Sequence, residues 1–434
     1  MLRRVVPIAL LALFALGCEK PTHENIEKWA STKKGPGKLK SAFLNDGLDP
    51  DLSAHAAAVM VRTGRDNEVR TELEHMNVGR RSAVVGKLAP RLWEIARIEG
   101  DMLRPAPHQT QAKDGLVVIR KYAEPATRTQ IDGYLIDWYA VPSYEGRANS
   151  GSNLGAAVMR MIGPPAAKKM MAVLTSLIAA PGQDTTKKRI GDELMLAIAV
   201  TADPEAVKYL LDIARMDRGD PTLATRAMGQ LYRAYVNSEG LFDVIDPPAA
   251  AAALAPNLDA LAKIAQDDRM PGAAANSAVA LIRSVGPPAC LPPLLAMIPH
   301  PHADTRFRYM GPDHALKCGG VKAIGDVVRA MPNQPYEQKS LAGSVVLGIS
   351  KLEPRDQVLA SLRDLLGDKS LIARWVAIET LAAMKSVEDA PKIASVKGAG
   401  EKLVGYWGDG ASKPEPSLGQ RAKELAALLG KAPK

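Results

Sequence analysis

Two near-identical breaks constrain this chain more than any other feature. Met161-Ile162-Gly163-Pro164-Pro165-Ala166 and Ser284-Val285-Gly286-Pro287-Pro288-Ala289 each follow one alanine-rich apolar segment and precede another. Related breaks fall at Glu124-Pro125, Asp203-Pro204 and Asp246-Pro247, so positions 124, 163, 203, 246 and 286 stand 39, 40, 43 and 40 residues apart. A fixed period of about 40 residues marks two-helix units, each too small to bury its apolar face alone. The break at 203 shows why such marks recur. Asp203 suits the cap of a new helix, Pro204 lacks an N–H that would be unpaired there, and Glu205 favours the positive dipole end. Ala206, Val207, Leu210, Leu211, Ile213 and Ala214 then repeat at helical spacing.

Composition agrees. Of 434 residues, 47% are hydrophobic, which is too apolar for overall disorder. Three cysteines exclude a disulfide scaffold. The chain is rich in alanine and holds only four Phe, which biases it towards closely packed helices over β-sandwich or barrel.

The clearest unit is near the C-terminus. Leu371, Trp375, Ile378 and Ala382 form a stripe, widened by Ile372 and Val376, with Arg374, Glu379 and Lys385 outside it. A turn at Ser386–Asp389 leads into a second helix at Ala390-Pro391-Lys392-Ile393. Leu52–Val69 reads the same way, with Gly64, Arg65 and Asp66 at its turn. These segments resemble HEAT or armadillo-like repeats. The resemblance implies an all-α fold, a right-handed α-solenoid of helical hairpins over residues 24–396 with one continuous concave surface. The pattern departs at 78–118, at the alanine run between Asp246 and Pro256, and at 299–314, which reads as a long proline-containing loop. Residues 397–434 read as loop followed by a capping helix from Ser417.

The N-terminus carries an address. Arg3 and Arg4 precede the apolar run Val5–Leu16, which is too short to span a bilayer at about 20 residues and has the anatomy of a secretory signal. Ala15-Leu16-Gly17-Cys18 resembles the bacterial lipobox, with Ala15 where Leu is usual. The resemblance implies removal of residues 1–17, acylation of Cys18 with chains such as palmitate, and attachment to a membrane through that lipid. Loss of two arginines takes Lys plus Arg from 56 to 54 against 47 acids, a mature charge of +7. Residues 18–40 form a basic tether with Lys20, Lys28, Lys33, Lys34, Lys38 and Lys40, either solvated or set against anionic headgroups. Glu19, not Asp, follows Cys18, which favours the outer membrane, facing the periplasm. Nucleic acid is a poor partner, since no aromatic side chains are interleaved with the basic ones.

Candidate chemistry is sparse. His300, His302, His314 and Cys318 form the one His/Cys cluster and could hold a metal, although their spacing matches no standard zinc motif. Cys290 and Cys318 remain once Cys18 is acylated, and both a disulfide and free buried thiols stay open for them. Tyr134, Trp138, Tyr139 and Tyr144 make an aromatic cluster, which is either core or a partner-binding hot spot. No catalytic constellation or cofactor motif is present. The sequence therefore points to a lipid-anchored scaffold of the bacterial envelope that binds a protein or peptide on its concave face and is not an enzyme. The alternatives are a metal-binding or enzymatic protein using residues 300–318, and a purely structural envelope component.

Overall fold

The computed structural model describes residues 19–99, 104–179, 190–215, 220–240, 243–299, 305–331, 337–403 and 414–430, without the side chains of 305–310 and 337–342. The leader, Cys18, His300 and His302 lie outside the described residues. Among the described residues the regular structure is helical, with one isolated antiparallel bridge between Lys402 and Ser417. Contacts divide the chain into two units, Met1–Thr201 and Ala202–Lys434. Each is an all-α stack of HEAT-like helical hairpins.

The first unit contains α1 (His23–Trp29), α2 (Gly35–Leu44), α3 (Pro50–Arg62), α4 (Asp66–His75), α5 (Val78–Ala96), α6 (Pro107–Arg120), α7 (Pro125–Tyr139), α8 (Tyr144–Ala148), α9 (Gly155–Ile162), α10 (Pro164–Ala179) and α11 (Asp192–Ala199). Its hub is α3, which packs on α1, α2, α4, α5 and α6. Every residue from Ser53 to Val61 is buried, so this helix is covered all round. Ala54, Ala56, Ala57 and Ala58 make that possible, since a methyl side chain lets neighbouring backbones approach. Residues within the expected tether are already packed here, with Ile26, Trp29 and Leu39 buried in α1 and α2.

A buried ion pair shapes the middle of this unit. Lys113 is fully buried, pairs with Asp114 at 2.5 Å and donates to the carbonyls of Ser150 and Asn153. Asp114 in turn accepts from the backbone of Ser152 and Asn153. The loop before α9 is thus tied to α6, and burial pulls the Lys113 ammonium below its ordinary pKa.

The second unit contains α12 (Pro204–Ala214), α13 (Pro221–Tyr235), α14 (Pro247–Leu254), α15 (Leu258–Gln266), α16 (Gly272–Ser284), α17 (Leu291–Met297), α18 (Thr305–Gly319), α19 (Ile324–Ala330), α20 (Glu337–Ile349), α21 (Arg355–Leu365), α22 (Leu371–Ala383), α23 (Ala390–Ala394) and α24 (Leu418–Gly430). Two rows run through it. One passes along α13, α16, α18, α20, α22 and α24; the other along α12, α15, α17, α19 and α21. The hairpins α12–α13, α15–α16, α17–α18 and α21–α22 join the rows.

The sequence marks act as expected on α12. Asp203 accepts from the amides of Glu205 (2.7 Å) and Ala206 (3.3 Å), and all six stripe residues are buried. Asp49, Asp220 and Asp246 cap α3, α13 and α14 in the same way. The twin Gly-Pro-Pro marks share a backbone requirement: Gly163 has φ +78° and Gly286 φ +80°, a region that penalises any Cβ. They diverge afterwards. Pro164 opens α10 directly, whereas α17 begins only at Leu291.

Three readings are corrected. Residues 305–314 belong to α18, with Pro312 inside the helix, where Gly311-Pro312 reads as a loop. Arg374 is buried, not outside the stripe: it donates to the Lys397 carbonyl and pairs with Glu401, tying down the segment after α23. Glu379 faces the stack as well, paired with Arg421 of α24 at 2.6 Å and 3.0 Å. Between Asp246 and Pro256 the chain forms α14 and enters a 3-10 turn, Ala255–Asn257, ahead of α15.

Gly163→Ala is expected to lower stability by about 1–3 kcal/mol, since φ +78° with ψ −147° is backbone essentially confined to glycine. Asp203→Ala is expected to cost about 1 kcal/mol through the lost cap. Urea denaturation of the two variants checks both.

Candidate functional site

A concavity in the second unit lies between α12 and α15. It has a volume of about 640 Å³. Its position follows from the repeat: α12 and α15 are successive members of one row and touch each other, and each packs on its hairpin partner in the other row. Leu211, Ile264 and Met270 are buried at its floor, with Pro204, Pro256 and Ala260 beside them. Asn257 closes one end: its side-chain amide donates to the carbonyls of Pro204 and Ala253, each at 3.1 Å, linking two repeats.

The rim is charged and balanced. Helical spacing puts Glu205, Lys208, Asp212 and Arg215 along one face of α12, and Asp259 and Lys263 along α15. Asp267 and Arg269 complete it, paired with each other at 2.7 Å. Four basic and four acidic side chains therefore line the groove. Such a surface carries no net charge, which suits a polypeptide with its own mixed charges and an apolar anchor. It does not suit a phosphate backbone, whose binding rests on clustered Lys and Arg.

The aromatic cluster is not a hot spot. Trp138, Tyr139 and Tyr144 are 1%, 0% and 0% exposed, so they are core. Trp138 donates to the Ala96 carbonyl and Tyr139 to that of Asn153. Burial pushes both tyrosine hydroxyls well above their usual pKa. Only Tyr134 reaches the surface, stacked on Trp93 with ring centroids 5.0 Å apart. The sequence shows that these four residues are aromatic and clustered, but helical spacing alone does not say which of them faces the neighbouring helix.

The His/Cys cluster loses a member. Cys290 and Cys318 are joined in a disulfide, with Cα atoms 6.2 Å apart, so the Cys318 sulfur is not a thiolate ligand. His314 is buried, and its Nδ1 has no hydrogen-bond partner. Burial, aided by Arg283, pulls its pKa down to about 4, so it is neutral at ordinary pH. Among the described residues no group of three or more His, Cys, Asp or Glu is arranged to hold a metal. Three of the six tether lysines are spent within the protein: Lys28 on Glu24, Lys38 on Glu19 and Lys40 on Glu72. Lys20, Lys33 and Lys34 stand exposed.

No family model and no curated protein matches the chain. Among solved structures it is similar to human deoxyhypusine hydroxylase in complex with glycerol, at 14% identity and a TM-score of 0.21, over 70% of this chain and 98% of that one. That neighbour is by its name an enzyme, and the expectation that this chain is not one is withdrawn. A likeness this weak carries no argument for a particular reaction, and the fold assignment rests on the chain's own helices.

The Cys290–Cys318 bond closes a 28-residue separation. Reduction is expected to lower the stability of the second unit by about 3–4 kcal/mol through regained chain entropy. Comparing oxidised and reduced protein by urea denaturation, under conditions that leave the rest of the chain unchanged, measures it.

Proposed function

We propose that this chain is a lipid-anchored helical-repeat scaffold of the bacterial cell envelope that binds a protein or peptide partner along the α12–α15 groove. The observation that carries the reading is the groove itself: an apolar floor of Leu211, Ile264 and Met270 under a rim of charge-balanced side chains, all but Asp212 and Asp267 exposed. A stacked-repeat surface of this kind holds an extended partner across successive units without a deep pocket. Its charges set register and orientation more than raw affinity.

The anchor rests on residues outside the described structure. The leader at 1–17 and the lipobox-like Ala15-Leu16-Gly17-Cys18 support acylation at Cys18. Among the described residues no helix is long and apolar enough to cross a membrane, so lipid is the attachment this reading requires. Several acyl chains hold a protein at a bilayer far more firmly than one. Glu19 after the acylated position supports the outer membrane, facing the periplasm.

Two variants test the two halves. Cys18→Ala is expected to move the protein from the membrane to the soluble fraction, and unchanged membrane association contradicts the anchor. Lys208→Glu with Lys263→Glu inverts the basic half of the rim. It is expected to weaken capture of the partner from envelope extracts at least tenfold relative to a Lys423→Glu control. An identical captured set for all three proteins contradicts the groove.

A further inference from the structure

A line of ionisable groups ties α1 to the body of the first unit, and sequence spacing gives no hint of it. His23 and Glu27 lie one turn apart on α1; Asp51, His55 and Arg62 lie on α3; Arg91 lies on α5. His23 Nδ1 stands 2.7 Å from His55 Nδ1, and the two rings are 4.9 Å apart. His55 Nε2 meets Glu27 Oε1 at 2.7 Å, and Arg62 donates to the other Glu27 oxygen at 2.5 Å. At the far end His23 Nε2 lies 3.3 Å from Asp51 Oδ2, and Arg91 donates to both Asp51 oxygens at 2.9 Å and 2.8 Å. The charges acting on His55 come from Glu27 and His23 of α1 and from Arg91 of α5.

Counting protons shows what state this line holds. Two neutral imidazoles bring two ring N–H groups. That of His55, on Nε2, donates to Glu27, and that of His23, on Nδ1, donates to the bare His55 Nδ1. Both 2.7 Å junctions are then a donor meeting an acceptor. A proton added at His55 Nδ1 has no acceptor there. It puts N–H against N–H at 2.7 Å.

We propose that the His23–His55 junction is an acid-released latch. It holds α1 on α3 while the His55 ring is neutral, and loosens α1 when solvent protonates it. That protonation falls on a site set against it: burial, together with Arg91 and His23, holds the His55 imidazole below its ordinary value despite the opposing pull of Glu27. The carboxylates do not compete in this range. Burial raises both, but Arg62 with His55 holds Glu27 low, and Arg91 holds Asp51 low. Because the folded pKa of His55 is depressed, the docked state is fully favoured above the free histidine value. It is lost progressively as pH falls below about 6.5. Ile26 and Trp29 are buried and Trp29 donates to Glu19, contacts that do not titrate with His55, so the expected change is a loosening of α1 and not unfolding of the unit. α1 begins five residues after Cys18. If that anchor holds, acid loosens the helix nearest the lipid; the latch itself does not depend on the anchor.

The test is native-state hydrogen exchange of the α1 amides from pH 7.5 to 5, corrected for intrinsic rates, in the full chain. In the wild type, protection of Ile26–Trp29 is expected to fall by up to about tenfold per pH unit below 6.5, while α12 amides do not change. In His23→Gln and His55→Gln the step is expected to disappear. The neutral amide offers either a donor or an acceptor to the remaining ring. If His55→Gln does not fold, His23→Gln decides the matter, since His23 is partly exposed. A pH-independent wild type, or the same step in a folded variant, overturns the latch.

Discussion

Everything in this fold depends on one constraint: a helical hairpin with an apolar stripe on both helices has no stable existence until a neighbour covers it. In the second unit α16 shows this directly. Ala274, Ala275 and every residue from Ala278 to Ile282 are buried because α13, α15, α17 and α18 all pack on it. Alanine is what lets so many helices meet. A row of methyl groups costs no side-chain entropy on burial, and it keeps the interhelical distance short. The larger residues on these helices then fill gaps that the alanines define. The same constraint leaves a furrow wherever two helices of one row meet without a third above them, and the α12–α15 groove is such a place.

Local chemistry was legible from the residues because it is local. The Asp-Pro marks cap helices through bonds spanning two or three residues, and the α12 stripe predicted the buried set residue for residue. The Gly-Pro-Pro pairs coincide with positive-φ glycines. Single-residue breaker rules failed where packing overrode them. Pro312 sits inside α18, and Pro90 sits inside α5. Arg374 looked like an outer-face residue, because its partners Lys397 and Glu401 lie more than twenty residues away.

The candidate site was less legible, and for a physical reason. Rim residues such as Lys208, Asp212 and Lys263 read in sequence as ordinary solvated faces of amphipathic helices. Their meaning comes from the apposition of two repeats about 50 residues apart. The aromatic cluster misled in the opposite direction: Trp138, Tyr139 and Tyr144 drew notice by composition, yet all three are buried in packing, and Trp138 and Tyr139 donate to carbonyls of their own unit. The His23–His55 pairing joins residues 32 apart, and no periodicity encodes it.

The most direct test of the central claim uses a photo-crosslinking amino acid at Lys263, in the groove, and at Lys423, on α24, in cells that express the chain at native level. The account predicts a discrete, reproducible adduct from position 263 and none of the same mass from position 423. Equal labelling from both positions, or none from 263, contradicts a partner held in the α12–α15 groove.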